Sequence, residues 1–245
     1  MGAFPTTRWS LILAGRDDPA ASRVALEHLC RAYRSPVLAY IRRRTAHSGE
    51  AEDLTQAFFT ALIERRIEDV ADPAKGRFRA LLLTALVRWL ANAEEQRRAL
   101  RRGGGQVHAD IDEQSGLSDD HDPDPEGAFL RDWALTVLKR ALSALRREAL
   151  VAGKVELFDA LRDSLVETPD AEDYARIGER FGMRRNTVAV AVHRLRQRLR
   201  ACVRAELADT VARSEDVDAE MEALRVALGG VLRDAKGRPA AEEAM

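Results

Sequence analysis

The run Arg184-Arg185-Asn186-Thr187, followed by Arg194, Arg196, Arg198 and Arg200, offers one kind of chemistry, the binding of polyanions. Residues 176–204 hold nine basic groups and one acid, a net charge of +8. A second block, 75–102, holds eight bases and two acids, a net charge of +6. Arginine makes up 35 of the 39 basic residues, and its planar fork suits paired contacts to phosphate and guanine. Signals for catalysis are weak by comparison. His28, His47, His108, His121 and His193 lack ligand spacing. Asp110-Ile111-Asp112 begins like a calcium loop, but Ser115 stands at the glycine position and His121 at the terminal glutamate position. Gly103-Gly104-Gly105 runs into an acidic stretch and not into a Lys-Ser helix, so it is no phosphate-binding loop. The expectation is a binding protein that is not an enzyme, with no metal and no cofactor.

Whole-chain figures obscure this. The 245 residues carry a net charge of −1 at a pI near 6.6, which taken alone argues against nucleic acid. By segment, residues 1–74 are neutral, 103–127 carry −8, 128–175 carry −2 and 205–245 carry −5, so the two cationic blocks are balanced by acid placed elsewhere. Cys30 and Cys202 are too few for a disulfide framework or a cysteine-rich zinc site, and point to a reducing compartment. The N-terminus is too short in apolar residues for a signal peptide. The longest apolar stretch, 80–87, is interrupted by Thr84 and closed by Arg79 and Arg88, far short of the roughly 20 residues of a membrane span. A cytoplasmic protein without membrane contact is expected.

The elements that must position these residues are helices. Leu26, Leu29, Cys30, Tyr33, Val37, Tyr40 and Ile41 step by three or four, with a break expected at Pro36 and Ser35 capping a second helix. Ala51, Leu54, Phe58, Ala61 and Leu62 continue the pattern, and Phe78, Leu81, Leu82, Ala85, Leu86, Trp89, Leu90 and Ala93 form a long amphipathic run. Residues 103–127 hold eight acids, five glycines, two prolines and no Lys or Arg, the composition of a linker. Helical spacing returns at Phe129, Trp133, Val137, Ala141 and Leu145, and a last, weak helix carries Val217, Met221, Leu224 and Leu228. The chain is expected to be all-α: an extension at 1–20, a helical domain at 21–102, an acidic linker at 103–127, a second helical domain at 128–212 and an acidic extension at 213–245.

Within 171–200, Tyr174, Ile177 and Phe181 mark a short helix. Gly182 sits where a helix end needs a left-handed residue, and a second helix begins a few residues on. This is helix-turn-helix spacing. Its second helix would bring Arg184, Arg185, Asn186, Thr187 and Val190 to base edges, with Arg194 further along.

Taken in order, these blocks resemble a bacterial RNA polymerase sigma factor of the extracytoplasmic-function type. The likeness rests on Asp53-Leu54-Thr55-Gln56-Ala57-Phe58-Phe59, on Gly76-Arg77-Phe78-Arg79-Ala80-Leu81-Leu82, on the helix-turn-helix, and on Thr6-Thr7-Arg8-Trp9-Ser10-Leu11, and covers roughly residues 6–228. It implies that Asp53, Leu54, Gln56 and Phe58 dock on core RNA polymerase. It also implies that the 75–102 block opens the minus-ten promoter element, and that the helix-turn-helix reads the minus-thirty-five element. Melting needs cations for the backbone and aromatic groups for an unstacked base. Arg77, Arg79, Arg88, Arg97, Arg98, Arg101 and Arg102 supply the first, and Phe78 and Trp89, which also lie on the buried stripe, are candidates for the second. Asn92, one turn beyond Arg88, would read a base edge. Partners under this reading are core RNA polymerase and promoter DNA, with an anti-sigma factor or other regulatory protein as a further class.

A linker of 25 residues spans about 25–30 Å as a coil and up to about 85 Å when straight, enough for elements ~35–70 Å apart. Its acid would mimic nucleic acid or simply space the domains. Many members of the family carry Ser and Lys in the recognition helix where Arg184 and Ala189 stand here, so the promoter sequence does not carry over. The 213–245 extension is expected to gate the basic hairpin or to bind another partner. Two alternatives are a helix-turn-helix regulator that acts without polymerase, which leaves Asp53–Phe59 and the 75–102 block without a role, and a helical adaptor for an acidic protein.

Overall fold

A computed structural model describes residues 8–13, 18–45, 48–64, 77–103, 124–165 and 171–236. The described residues are all-α. In chain order the helices are α1 (Arg8–Leu13), α2 (Pro19–Arg42), α3 (Ser48–Glu64), α4 (Phe78–Gly103), α5 (Pro125–Val151), α6 (Val155–Leu161), a 3-10 turn (Asp163–Leu165), α7 (Ala171–Phe181), α8 (Arg185–Ala208) and α9 (Ser214–Lys236). One isolated antiparallel bridge joins Arg77 to Val211. No described helix is long and apolar enough to cross a membrane. The linker expected at 103–127 lies almost wholly outside the described residues.

The helices gather into two compact units, Met1–Thr136 with Ala208–Met245, and Val137–Leu207. This departs from the expected division. The first three turns of α5 and all of α9 belong with the first unit, and the N-terminal segment supplies core residues: Trp9 is 1% exposed and Ile12 fully buried.

In the first unit α2 starts on Asp18, whose side chain accepts from the Ala21 N–H at 3.0 Å, with Pro19 in the first turn where its missing N–H costs nothing. The break expected at Pro36 is absent: α2 runs unbroken from Pro19 to Arg42. The reason is packing. Tyr33, Pro36, Val37, Tyr40 and Ile41 are all buried, and that stripe outweighs one lost backbone bond. Aromatic rings fill the centre. Phe78 meets Trp9 at 5.3 Å and Tyr33 at 5.1 Å between centroids, both edge-on. Such pairs contribute about 0.5–1.5 kcal/mol beyond the area they bury. Burial pushes the Tyr33 phenol well above its ordinary range, with the Glu220 charge adding to it.

Glu220 itself, on α9, is fully buried. Its carboxylate accepts from Arg79 Nε at 3.0 Å and Nη2 at 2.8 Å, and the Arg79 guanidinium lies 4.6 Å above the ring of Trp133. Burial works against the Arg79 charge, but the hydrogen bonds and charge of Glu220 outweigh it and raise the pKa. Backbone contacts fasten the same segment: Trp9 N–H donates to Asp209 O at 3.1 Å and Phe78 N–H to Thr210 O at 3.0 Å. Arg8 pairs with Asp209.

In the second unit Leu161, Val188 and Val192 form a core joined by Leu157, Tyr174, Ile177, Met183, Ala191 and Leu195. Two of its helices end in the same way. At the end of α5, Gly153 has φ 66°, Gly153 N–H donates to Leu150 O at 3.0 Å and Lys154 N–H to Ala149 O at 2.8 Å. At the end of α7, Gly182 has φ 62°, Gly182 N–H donates to Glu179 O at 3.4 Å and Met183 N–H to Gly178 O at 2.8 Å. These are Schellman caps, which stop a helix and turn the chain at once. Gly178 is constrained for a different reason: a Cβ there would stand 2.6 Å from Met183 O. Gly182→Ala should cost about 1 kcal/mol for its left-handed backbone. Gly178→Ala should cost about 2–3 kcal/mol, because the turn itself must shift. Urea unfolding of the two variants tests this order, and equal losses would contradict it.

Candidate nucleic-acid interface

Helix α8 is anchored from one side. Val188 is 0% and Val192 1% exposed, and Leu199 and Val203 continue that buried line. A residue two positions away on a helix lies about 200° around the axis. Asn186 and Val190 therefore point away from Val188, and Val190 is 48% exposed despite being apolar. Arg184, Arg185, Asn186, Thr187 and Arg194 are exposed as well. Arg184 closes the turn through its carbonyl, which accepts from Thr187 N–H at 2.8 Å and Val188 N–H at 3.1 Å. Its side chain is left outward. Arg184, Arg185 and Arg194 pair with no acid among the described residues. All six positions expected at the reading end of this helix are exposed.

The later arginines of α8 are less available. Arg196 turns inward and donates to Ser164 O from Nε at 3.2 Å and from Nη2 at 2.7 Å, tying α8 to the 3-10 turn. Arg198 forms a two-bond pair with Glu148 on α5, both contacts at 2.7 Å. The Arg198 hydrogen bonds hold the Glu148 carboxyl below its usual range. Both partners are solvent-exposed, so the pair adds little stability.

On α4 the outward face carries Arg88 and Asn92, four residues apart and both exposed. They lie across the helix from Leu86 and Leu90, which are buried. Arg97 is exposed but paired with Glu50 at 2.8 Å, and Arg98 pairs with Glu94 one turn back. The side chains of Arg101 and Arg102 lie outside the described residues.

Four of the residues expected to meet DNA in and just before α4 are enclosed or engaged within the described structure. Phe78 is fully buried among aromatic rings and presents no face to a base. Arg79 is 13% exposed and committed to Glu220, and Arg77, 39% exposed, lies 3.5 Å from the same carboxylate. Trp89 is half-buried with its ring edge-on to Phe58 at 5.7 Å.

On α3, Asp53 and Gln56 are exposed and lie one turn apart, while Leu54 is half-buried. Phe58 is 1% exposed, so it supports the helix from beneath and does not itself form a docking surface. Glu52 is engaged by Arg34 at 2.6 Å and Arg42 at 3.2 Å, and Asp53 pairs with no cation among the described residues. Among the described residues no group of His, Cys, Asp or Glu is arranged to hold a metal.

Sequence reasoning missed the buried pairing of Glu220 with Arg79 and the stacking of Arg79 on Trp133. A signal was present: Glu220 falls three residues after Val217 and four before Leu224, inside the apolar stripe of its own helix. An acid on a buried stripe asks for a buried cation.

No protein-family model matches the chain, and comparison with curated proteins and with solved structures finds no match. The site rests on its own geometry.

That geometry separates packing from display. Phe78→Ala should lose about 3–5 kcal/mol of stability by emptying the aromatic centre. Arg88→Ala and Arg185→Ala should stay within about 0.5 kcal/mol of the parent. Denaturant midpoints of the three variants provide the check; a large loss in either arginine variant would place that residue in the fold and not at an interface.

Proposed function

We propose that this chain is a cytoplasmic promoter-specificity subunit of bacterial RNA polymerase, which recruits the core enzyme to chosen promoters and helps open them. The observation that carries the reading is the exposure of Arg184, Arg185, Asn186, Thr187, Val190 and Arg194 on a helix that follows a tight capped turn. A helix entering a major groove reads bases with its N-terminal turns, and arginine and asparagine are the side chains best suited to guanine and adenine edges. The ordered resemblance to sigma factors supplies the rest of the assignment.

Work is divided by unit. The exposed Asp53 and Gln56 edge of α3 offers an anionic and amide contact to polymerase, and Arg88 and Asn92 on α4 offer a cation and an amide to promoter DNA. No bond is made or broken by the protein. Its contribution is binding energy placed where duplex DNA must be held and separated.

One observation favours a second reading. The α8 face is open while Phe78 and Arg79 are enclosed, which suits a helix-turn-helix regulator that uses one DNA surface and no polymerase. An adaptor for an acidic protein would use the same cations without sequence preference.

Reconstituted transcription with core polymerase separates these. Promoter-dependent initiation on genomic templates is expected, and its absence under conditions where other sigma factors work would exclude the main reading. Asp53→Ala should weaken capture of core polymerase and leave the thermal midpoint unchanged. Arg185→Ala should cost about 1–3 kcal/mol of discrimination between promoter and random duplex. Arg88→Ala should instead weaken all DNA alike and reduce the slope of log affinity against log salt by about 0.9.

A further inference from the structure

The C-terminal helix carries a single carboxylate into the interior of the first unit, and it lands on the two arginines that flank Phe78. Glu220 has no exposed surface. Arg79 grips it with two donors at 3.0 and 2.8 Å, and Arg77 Nη1 stands 3.5 Å away. The chain just before α9 covers the same place by backbone: Phe78 N–H donates to Thr210 O at 3.0 Å, and Arg77 bridges to Val211. Residues 77–79 are thus closed over by 210–220.

A guanidinium fork offers the same two parallel donors to a carboxylate and to a phosphate. The two anions cannot hold the Arg79 fork together. We propose that α9 is an internal competitor for nucleic-acid backbone, with Glu220 standing in the place of a phosphate at Arg77 and Arg79. The proposal rests on the reading of α4 as a nucleic-acid surface and adds its regulation. DNA reaches this part of α4 only by displacing Glu220.

Two features suit a contact that opens. The cations are not sealed: Arg79 keeps 13% and Arg77 39% of its side-chain surface. The first half of α9 reads Glu215, Asp216, Asp218, Glu220 and Glu222 with no base before Arg225, so once displaced it is repelled by a bound DNA strand.

The test is binding of a short, labelled single-stranded DNA to the full-length chain across a salt series. Glu220→Gln keeps the shape and an acceptor oxygen and removes the charge. It should bind roughly tenfold more tightly than the parent. Its slope of log affinity against log salt should steepen by about 1.4, for two more phosphates neutralised on a single strand. Unchanged affinity and slope, with binding still weakened by Arg88→Ala, would overturn the competitor and leave the DNA reading standing. Failure of parent and variant alike to bind at any salt would overturn the DNA reading and the competitor with it. A measurement on the parent chain needs no variant to fold: amide exchange across 214–228 should accelerate when the oligonucleotide is added. Equal or slower exchange there would overturn the proposal.

Discussion

Burying a guanidinium and a carboxylate together costs several kcal/mol of hydration per ion, and only good geometry returns it. Arg79 and Glu220 meet that demand with two hydrogen bonds, a nearby second cation in Arg77, and the face of Trp133 beneath the guanidinium. Such a pair is a poor source of net stability but a strict one of register. Moving α9 by one residue would bury the acid against apolar side chains and leave Arg79 without a counter-ion, a loss on the order of 3–5 kcal/mol. The pair joins the start of α4, the first turns of α5 and the middle of α9. Three stretches far apart in sequence are thereby fixed in one unit.

Much of the fold could be read from the sequence because helical periodicity is local. The stripes at 26–41, at 78–93 and at 188–203 appear in the structure as buried lines, and Gly182 caps its helix with the expected left-handed backbone. The failures share a cause. Pro36 breaks a helix by local rules, yet α2 continues because Tyr33, Val37, Tyr40 and Ile41 bury a surface that local rules do not weigh. Trp9 looked like part of an extension, and its burial depends on Phe78, nearly seventy residues on. The partner of Glu220 lies 141 residues away in sequence, a separation at which periodicity has nothing to say.

The candidate site shows the same limit in its charges. Basic residues counted by segment overstate the surface they provide, because a charge with a partner is already partly spent. In the 176–204 block, Arg176 pairs with Asp173, Arg180 lies over the Phe181 ring, Arg196 holds Ser164 O and Arg198 holds Glu148. Arg184, Arg185, Arg194 and Arg200 remain outward without an acid among the described residues, and Arg184 and Arg185 stand at the start of α8 where reading would occur. Pairing thus takes part of a stretch of nine cations out of display and leaves two of the open ones at the start of one helix.

The chain path changes what the acidic C-terminus can mean. The first unit is built from both ends of the chain, while residues 137–207 form the second unit between them. An extension appended after a complete domain could be removed without touching the fold, and its loss would report on regulation alone. Here α9 supplies Val217, Glu220 and Leu224 to the interior, and the segment before it receives hydrogen bonds from Trp9 and Phe78. Deleting 213–245 would remove part of a core and strand the Arg79 charge, so any change in DNA binding would mix unfolding with release. Removing one charge and keeping its shape separates the two effects, because packing responds to volume and a phosphate responds to charge.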